Sequence, residues 1–209
     1  MKKILCALVF MCMAVSCAWG EVRIDATNFP DSNFRTYVSE NFDKDRNGTL
    51  SNSEISAVTI IGVDSRDISS LKGIEHFTSL VGLNCRQNNL TELDMSANRY
   101  IMGVFCENNN IQSINLGGKI SLIALVCSNN EIASLNIENC TQLVSVDCSN
   151  NKLKSLSLKG LKSLRSLECR NQGQKTGNVF ANDGITELYR NAQEGFHLFR
   201  WEMNCAKLS

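Results

Sequence analysis

The sequence holds one proline, Pro30, and two histidines, His76 and His197, in 209 residues. A chain so poor in proline is no extended linker, and 43% hydrophobic with 20% charged residues describes one that orders. Two histidines, neither in an HExxH or Ser/His/Asp setting, leave hydrolytic chemistry almost nothing to be built from. A CxxC pair and a phosphate-binding loop are also missing, so the chain is read as a binding protein and not an enzyme. Charge of one sign is missing as well: 21 Lys and Arg stand against 21 Asp and Glu, with a pI near 6.7. The attraction on which nucleic-acid binding depends is therefore absent, and nucleic acid is excluded as a partner. No apolar run is long enough for a transmembrane segment.

The first twenty residues run from Lys2 and Lys3 through an apolar stretch, Ile4 to Val15, into small residues, the order of an export signal. Ala18-Trp19-Gly20 places small residues three and one before a cut at Glu21. A second reading uses Ala14-Val15-Ser16-Cys17, which resembles a bacterial lipobox and would leave Cys17 as a lipidated first residue and lipid anchor. Both predict export, to the medium or to the periplasm and outer membrane. Cleavage after Gly20 leaves 19 cations against 21 acids and seven of the ten cysteines. Seven thiols cannot all pair.

The dominant signal is an internal repeat. Cys85, Cys106, Cys127, Cys148 and Cys169 are each 21 residues apart. The same period carries Leu83, Asn88, Leu90, Leu93 and Met95; then Val104, Asn109, Ile111, Ile114 and Leu116; then Leu125, Asn130, Ile132, Leu135 and Ile137; then Val146, Asn151, Leu153, Leu156 and Leu158. The unit resembles the leucine-rich-repeat pattern L-x-x-L-x-L-x-x-N/C-x-L, with Cys in place of the third Leu. Alternation across Leu83-x-Cys85 has period two, so each unit contributes one short strand with those side chains inward, and stacking gives a parallel sheet. The recurring asparagines are expected to form a ladder that satisfies loop backbone inside the solenoid. Ile61, Val63, Ile68 and Leu71 extend the pattern backwards, with Arg66 where Asn is expected. Leu164, Leu167 and Cys169 supply a last strand, and Gln172 and Gln174 mark the end of the array.

Before the repeats, Asp43-Lys44-Asp45-Arg46-Asn47-Gly48-Thr49-Leu50-Ser51-Asn52-Ser53-Glu54 resembles the twelve-residue EF-hand loop. The resemblance assigns Ca²⁺ as cofactor. Asp43, Asp45 and Asn47 would supply positions 1, 3 and 5, Thr49 its carbonyl, Ser51 a water-mediated contact, and Glu54 the closing bidentate carboxylate. Phe34, Tyr37, Val38 and Phe42 share one helical face ahead of it, and Ile55 and Val58 begin the exit.

The fold class is an α/β repeat solenoid: a leucine-rich-repeat horseshoe or arc of short parallel strands with a helical, EF-hand-like N-terminal cap and a C-terminal cap. The segments are 1–20 signal, 21–58 N-terminal cap, 59–170 repeats and 171–209 C-terminal cap. Ile185, Leu188 and the aromatic run Phe196 to Met203 are assigned to that last cap. The inward register leaves Asn84, Phe105, Val126 and Asp147 on the solvent face of the sheet, flanked by Arg86 and Glu107. Phe105 beside Val126 forms an apolar centre with charges toward the edges, as at an interface. The family resemblance implies protein or other macromolecular binding on the concave sheet face, as in exported repeat proteins of host-associated bacteria, although the IPxxVTxIGxxAF pattern of one such class is absent. The alternative is a periplasmic small-ligand protein with a pocket near the C-terminal cap, beside Phe199 and Trp201.

Overall fold

A computed structural model describes residues 21–119 and 121–172. The segment expected to be an export signal, with Cys17, and the expected C-terminal cap, with Phe199 and Trp201, lie outside the described residues.

Strand β1 (Val22–Arg23) opens the cap and pairs antiparallel with β2 (Thr49–Leu50), Val22 opposite Leu50. Between them lies α1 (Ser32–Asn41). Its N-cap is Asp31, whose Oδ1 accepts from the amides of Asn33 and Phe34 at 2.9 Å, satisfying two of the orphan donors of the first turn. Phe34 and Val38, four residues apart on one face, are fully buried. Helix α2 (Asn52–Ala57) begins on a reciprocal capping box between Ser51 and Glu54. The cap is thus helix, loop, helix, as the flanking apolar positions predict.

Two contacts fix the cap to the first coil. Asp31 Oδ2 accepts from the amide and hydroxyl of Ser69 at 2.8 Å each. An aromatic cluster continues the join: Phe29 meets Phe34, His76 and Phe77 at centroid distances of 6.0, 5.8 and 6.4 Å, and Phe42 meets Phe77 at 5.2 Å. His76 is therefore a packing residue. Gly73 lets these rings approach, since its φ is +105° and a Cβ there would stand 2.2 Å from Phe29 Cδ1.

The solenoid follows. Strands β3 (Ile60–Gly62), β4 (Gly82–Asn84), β6 (Gly103–Phe105), β8 (Ala124–Val126), β9 (Ser145–Asp147) and β10 (Ser166–Glu168) form one parallel six-stranded sheet in order of coil. Two returning segments, β5 (Glu92–Asp94) and β7 (Ser113–Asn115), pair in a second small parallel sheet. The α-helices among the described residues belong to the cap, so the repeats return by turns and these short strands. No helix of the described residues is long and apolar enough to cross a membrane.

Asparagine does two jobs in the central coils. Two residues after each cysteine the backbone enters the left-handed region, at Gln87, Asn108, Asn129, Asn150 and Asn171 with φ of 53–58°. That conformation turns the chain out of the strand, and asparagine tolerates it better than most residues. The next residue turns inward. Asn130 Nδ2 donates to the carbonyls of Cys106 and Cys127 at 3.0 and 3.1 Å while its Oδ1 accepts from the Ile111 amide at 2.9 Å. Asn88, Asn109 and Asn151 repeat the pattern. Each side chain therefore stitches successive coils through backbone that the sheet leaves unpaired.

One expectation needs correction at the array's end. Gln172 does not stop the ladder: its Nε2 donates to the carbonyls of Cys148 and Cys169 at 2.9 and 3.1 Å, and its Oε1 accepts from the Leu153 amide at 3.0 Å. A glutamine carries the same amide one methylene further out, and that suffices here. At the other end Arg66 does leave the ladder, placing its guanidinium 5.0 Å over the Tyr37 ring.

Candidate functional site

Two places carry the candidate function: the acidic loop of the cap and the open face of the six-stranded sheet. In the loop, Arg46 and Gly48 both adopt positive φ, 59° and 82°, which coils the chain tightly enough to bring its donors together. Carboxylate oxygens of Asp43, Asp45 and Glu54 all lie within 4.8 Å of one another. Asp43 is 5% exposed, and its carboxylate accepts from the amides of Asn47 and Gly48 at 3.1 and 2.9 Å. Asn47 Oδ1 accepts from the Thr49 amide and hydroxyl at 2.7 and 2.6 Å. The amide and hydroxyl of Ser51 hold Glu54 below the usual carboxylate range, and the Lys44 amide adds to the effect. Ser51 itself is the N-cap of α2, so its hydroxyl is engaged with Glu54. Strand β1 holds the loop's Thr49-Leu50 segment from outside, giving this single loop a pairing partner within the chain.

The sheet face follows the predicted register. Gly82, Gly103, Ala124 and Ser145 align across strands, as do Asn84, Phe105, Val126 and Asp147. Phe105 is 40% exposed and leans back over Gly103, where a Cβ would lie 3.2 Å from its Cε2. Val126, its in-register neighbour, is half-buried. Arg86 Nη1 lies 3.8 Å from Glu107 Oε1, and Glu107 Oε2 is buried without a hydrogen-bond partner among the described residues. Asp147 accepts from the Ser149 amide and hydroxyl.

Beneath that face, Cys85, Cys106, Cys127 and Cys148 are buried free thiols, and Cys169 is half-buried. Burial pushes all five upward, Cys169 to about 12, with neighbouring negative groups adding to the effect. A thiol held protonated in apolar surroundings behaves as a small hydrophobe and is a poor nucleophile. The ladder of cysteines is core.

No protein-family model matches the chain. Over 70 residues, 34% of its length, the chain is 36% identical to internalin J of Listeria monocytogenes, and that match spans 8% of the relative. Among solved structures, the functional domain of InlJ from Listeria monocytogenes, described as including a cysteine ladder, superposes with a TM-score of 0.70. That likeness covers 80% of this chain and 36% of the other, at 24% identity. The internalin inlF of the same organism gives a TM-score of 0.66 at 23% identity, covering 80% of this chain and 49% of its own. The fold is a leucine-rich-repeat solenoid. Its parallel strands stack about one coil per 21 residues.

The structure also shows what sequence reading passed over. The residue just before each strand, at Val81, Met102, Ile123 and Val144, forms a further aligned row: each amide from Met102 onward donates to the preceding residue's carbonyl at 2.8 Å. Met102, Ile123 and Val144 are 42%, 37% and 36% exposed, a solvent-facing apolar edge to the sheet. The 21-residue period carries these positions and would have revealed them, but strict alternation from Leu83 assigns them inward. The pocket of the small-ligand alternative lies outside the described residues. A hollow of about 450 Å³ sits instead at the N-terminal cap, between Phe42, Val58 and Ile60.

Proposed function

We propose that the protein is an exported binding module that holds a protein partner against its sheet face, with Phe105 and Val126 at the contact centre and Asn84, Arg86, Glu107 and Asp147 around them. The observation that carries this reading is Phe105, an aromatic 40% exposed in the middle of a sheet whose adjoining positions are Gly103 and Ala124. Those neighbours are too small to shield it from an approaching surface. The likeness to internalin structures and the short stretch of identity to internalin J support a repeat module. Export rests on the order of charged, apolar and small residues in positions 1–20. Truncating an aromatic hot spot costs ~2 kcal/mol or more in binding, whereas an idle surface aromatic costs little. Partner capture by the intact protein should fall strongly in Phe105→Ala with Val126→Ser, at an unchanged melting temperature. Undiminished capture would remove the sheet face from consideration.

The cap loop is proposed to hold one Ca²⁺. The donor set fits: three carboxylates converge within 4.8 Å, and the Asn47 side-chain oxygen and the Thr49 carbonyl belong to the same coil. When bound, the ion would draw Asp43, Asp45 and Glu54 together and stiffen the junction between α1, α2 and the first coil. A ligand that binds only the native state stabilises it by mass action. Calorimetric titration of the intact protein is expected to show one site, lost in Glu54→Gln.

A further inference from the structure

We infer that Asn47 is a site of spontaneous covalent modification, where the side-chain amide is lost to attack by the Gly48 nitrogen when the cap loop opens, and that the conversion disables the loop. Asn47-Gly48 is the one Asn-Gly pair in the sequence. Glycine leaves its own nitrogen unshielded and the chain free to turn, so this pair cyclises more readily than an asparagine followed by a larger residue. Both residues are exposed, and a Cβ added at Gly48 would meet nothing within 4 Å, so no neighbouring side chain covers the nitrogen. The reaction needs no co-reactant but water. A bond forms between Gly48 N and Asn47 Cγ, the Cγ–Nδ2 bond breaks, and the Gly48 amide proton leaves with Nδ2 as ammonia. Water then opens the ring, at Cγ to give aspartate or at the main-chain carbonyl to give isoaspartate.

The closed loop engages each reacting atom. The Gly48 amide donates to Asp43 Oδ2 at 2.9 Å, and Asn47 Nδ2 donates to Asp45 Oδ2 at 2.9 Å. Asn47 Oδ1 accepts from the Thr49 amide and hydroxyl at 2.7 and 2.6 Å. Attack needs the nitrogen to shed its proton and the Asn47 amide to turn its face toward it, and these bonds oppose both. The folded chain therefore converts only through its open fraction. Either product adds a negative charge. The isoaspartyl product also puts an extra methylene into the main chain between Arg46 and Gly48, whose φ of 59° and 82° make the tight coil. That coil is what gathers the carboxylates of Asp43, Asp45 and Glu54 within 4.8 Å. The covalent step stands on the dipeptide and these bonds, and its calcium dependence alone rests on the cap-loop reading.

The test incubates the full chain in mildly alkaline buffer with calcium, with chelator and in urea. Conversion is followed by peptide mapping in a mass spectrometer, with aspartyl and isoaspartyl peptides separated by chromatography. In urea Asn47 should convert ahead of every other asparagine. With chelator the folded chain should convert at least about tenfold more slowly than in urea, and calcium at about a hundredfold its Kd should slow it by up to about a hundredfold more. Thr49→Val removes one bond to Oδ1; it should speed conversion of the folded chain about fivefold and leave the rate in urea unchanged. Isoaspartyl protein isolated from the mixture should lose the calcium-dependent rise in melting temperature that the parent shows. Equal conversion when folded and in urea, or conversion of Asn47 no faster than of Asn89 in urea, overturns the inference. Isoaspartyl protein that still gains stability from calcium overturns the disabling of the loop. Rates equal with calcium and with chelator, both below the urea rate and both raised in Thr49→Val, overturn the calcium reading and leave the modification site standing.

Discussion

Adjacent asparagines in one coil should respond to substitution in opposite ways. Asn130 is 8% exposed and spans two coils. In Asn130→Ala the Ile111 amide loses the Oδ1 it donates to at 2.9 Å, leaving a buried donor unpaired, which costs ~1–3 kcal/mol. The Cys106 and Cys127 carbonyls lose less, because each also accepts from a neighbouring rung: Cys106 from Asn109 at 3.1 Å, Cys127 from Asn151 at 2.9 Å. Adding ~0.5 kcal/mol for each gives a total near ~2–4 kcal/mol, a large part of the ~5–15 kcal/mol by which a domain is stable. Asn129, exposed and at φ 55°, makes its contribution through the backbone. Asn129→Gly should lie within ~0.5 kcal/mol of the parent, while Asn129→Val should cost ~1–2 kcal/mol for a branched side chain forced left-handed. Urea unfolding followed by far-ultraviolet circular dichroism reads all three. If Asn130→Ala costs under ~1 kcal/mol, or no more than Asn129→Gly, the ladder is not what joins the coils.

Gly73→Ala should lower stability by ~2 kcal/mol or more, because its Cβ would collide with Phe29 at 2.2 Å at a φ of +105°; a variant that melts with the parent would show that the cap tolerates separation from the first coil. Calcium should raise the melting temperature of the parent and leave Glu54→Gln unmoved, and identical parent melts with calcium and with chelator would remove the stabilising role. For the thiols the sign follows from burial: their native values lie above the unfolded one, so their contribution is intact below about pH 8.5 and declines above it, by up to ~1.4 kcal/mol per pH unit for each thiol. Stability measured from pH 8 to 10 should therefore fall less steeply in Cys127→Ala than in the parent. In native alkylation Cys169 should react first, with Cys85, Cys106, Cys127 and Cys148 following only on unfolding; rapid native labelling of the last four would refute their burial.

The solenoid was legible because one period carries every determinant at once. Leu83, Cys85 and Asn88 recur together, and the structure places them in strand, core and ladder. Alternation says nothing reliable at a strand boundary, where period two does not apply: Met102 precedes β6 and is exposed although it stands two residues before the buried Val104. Gln172 was misread for a different reason, since residue identity was taken for function when an amide at the right reach is what the coil requires. The cap's helices followed from Phe34 and Val38, but the pairing of β1 with the loop joins Val22 to Leu50 across 28 positions, and no local pattern announces it. Cysteine at the third apolar position marked burial but not the exposure of Phe105 above it, which depends on small residues such as Gly103 and Ala124.

The central claim is that a partner lies on the sheet face. Placing a photoreactive benzoylphenylalanine at position 105, and separately at position 154 in a returning segment, tests it on the assembled complex. The account predicts covalent partner adducts from position 105 and none from 154, with both proteins melting like the parent. Adducts from 154 and none from 105 would place the partner on another surface and contradict it.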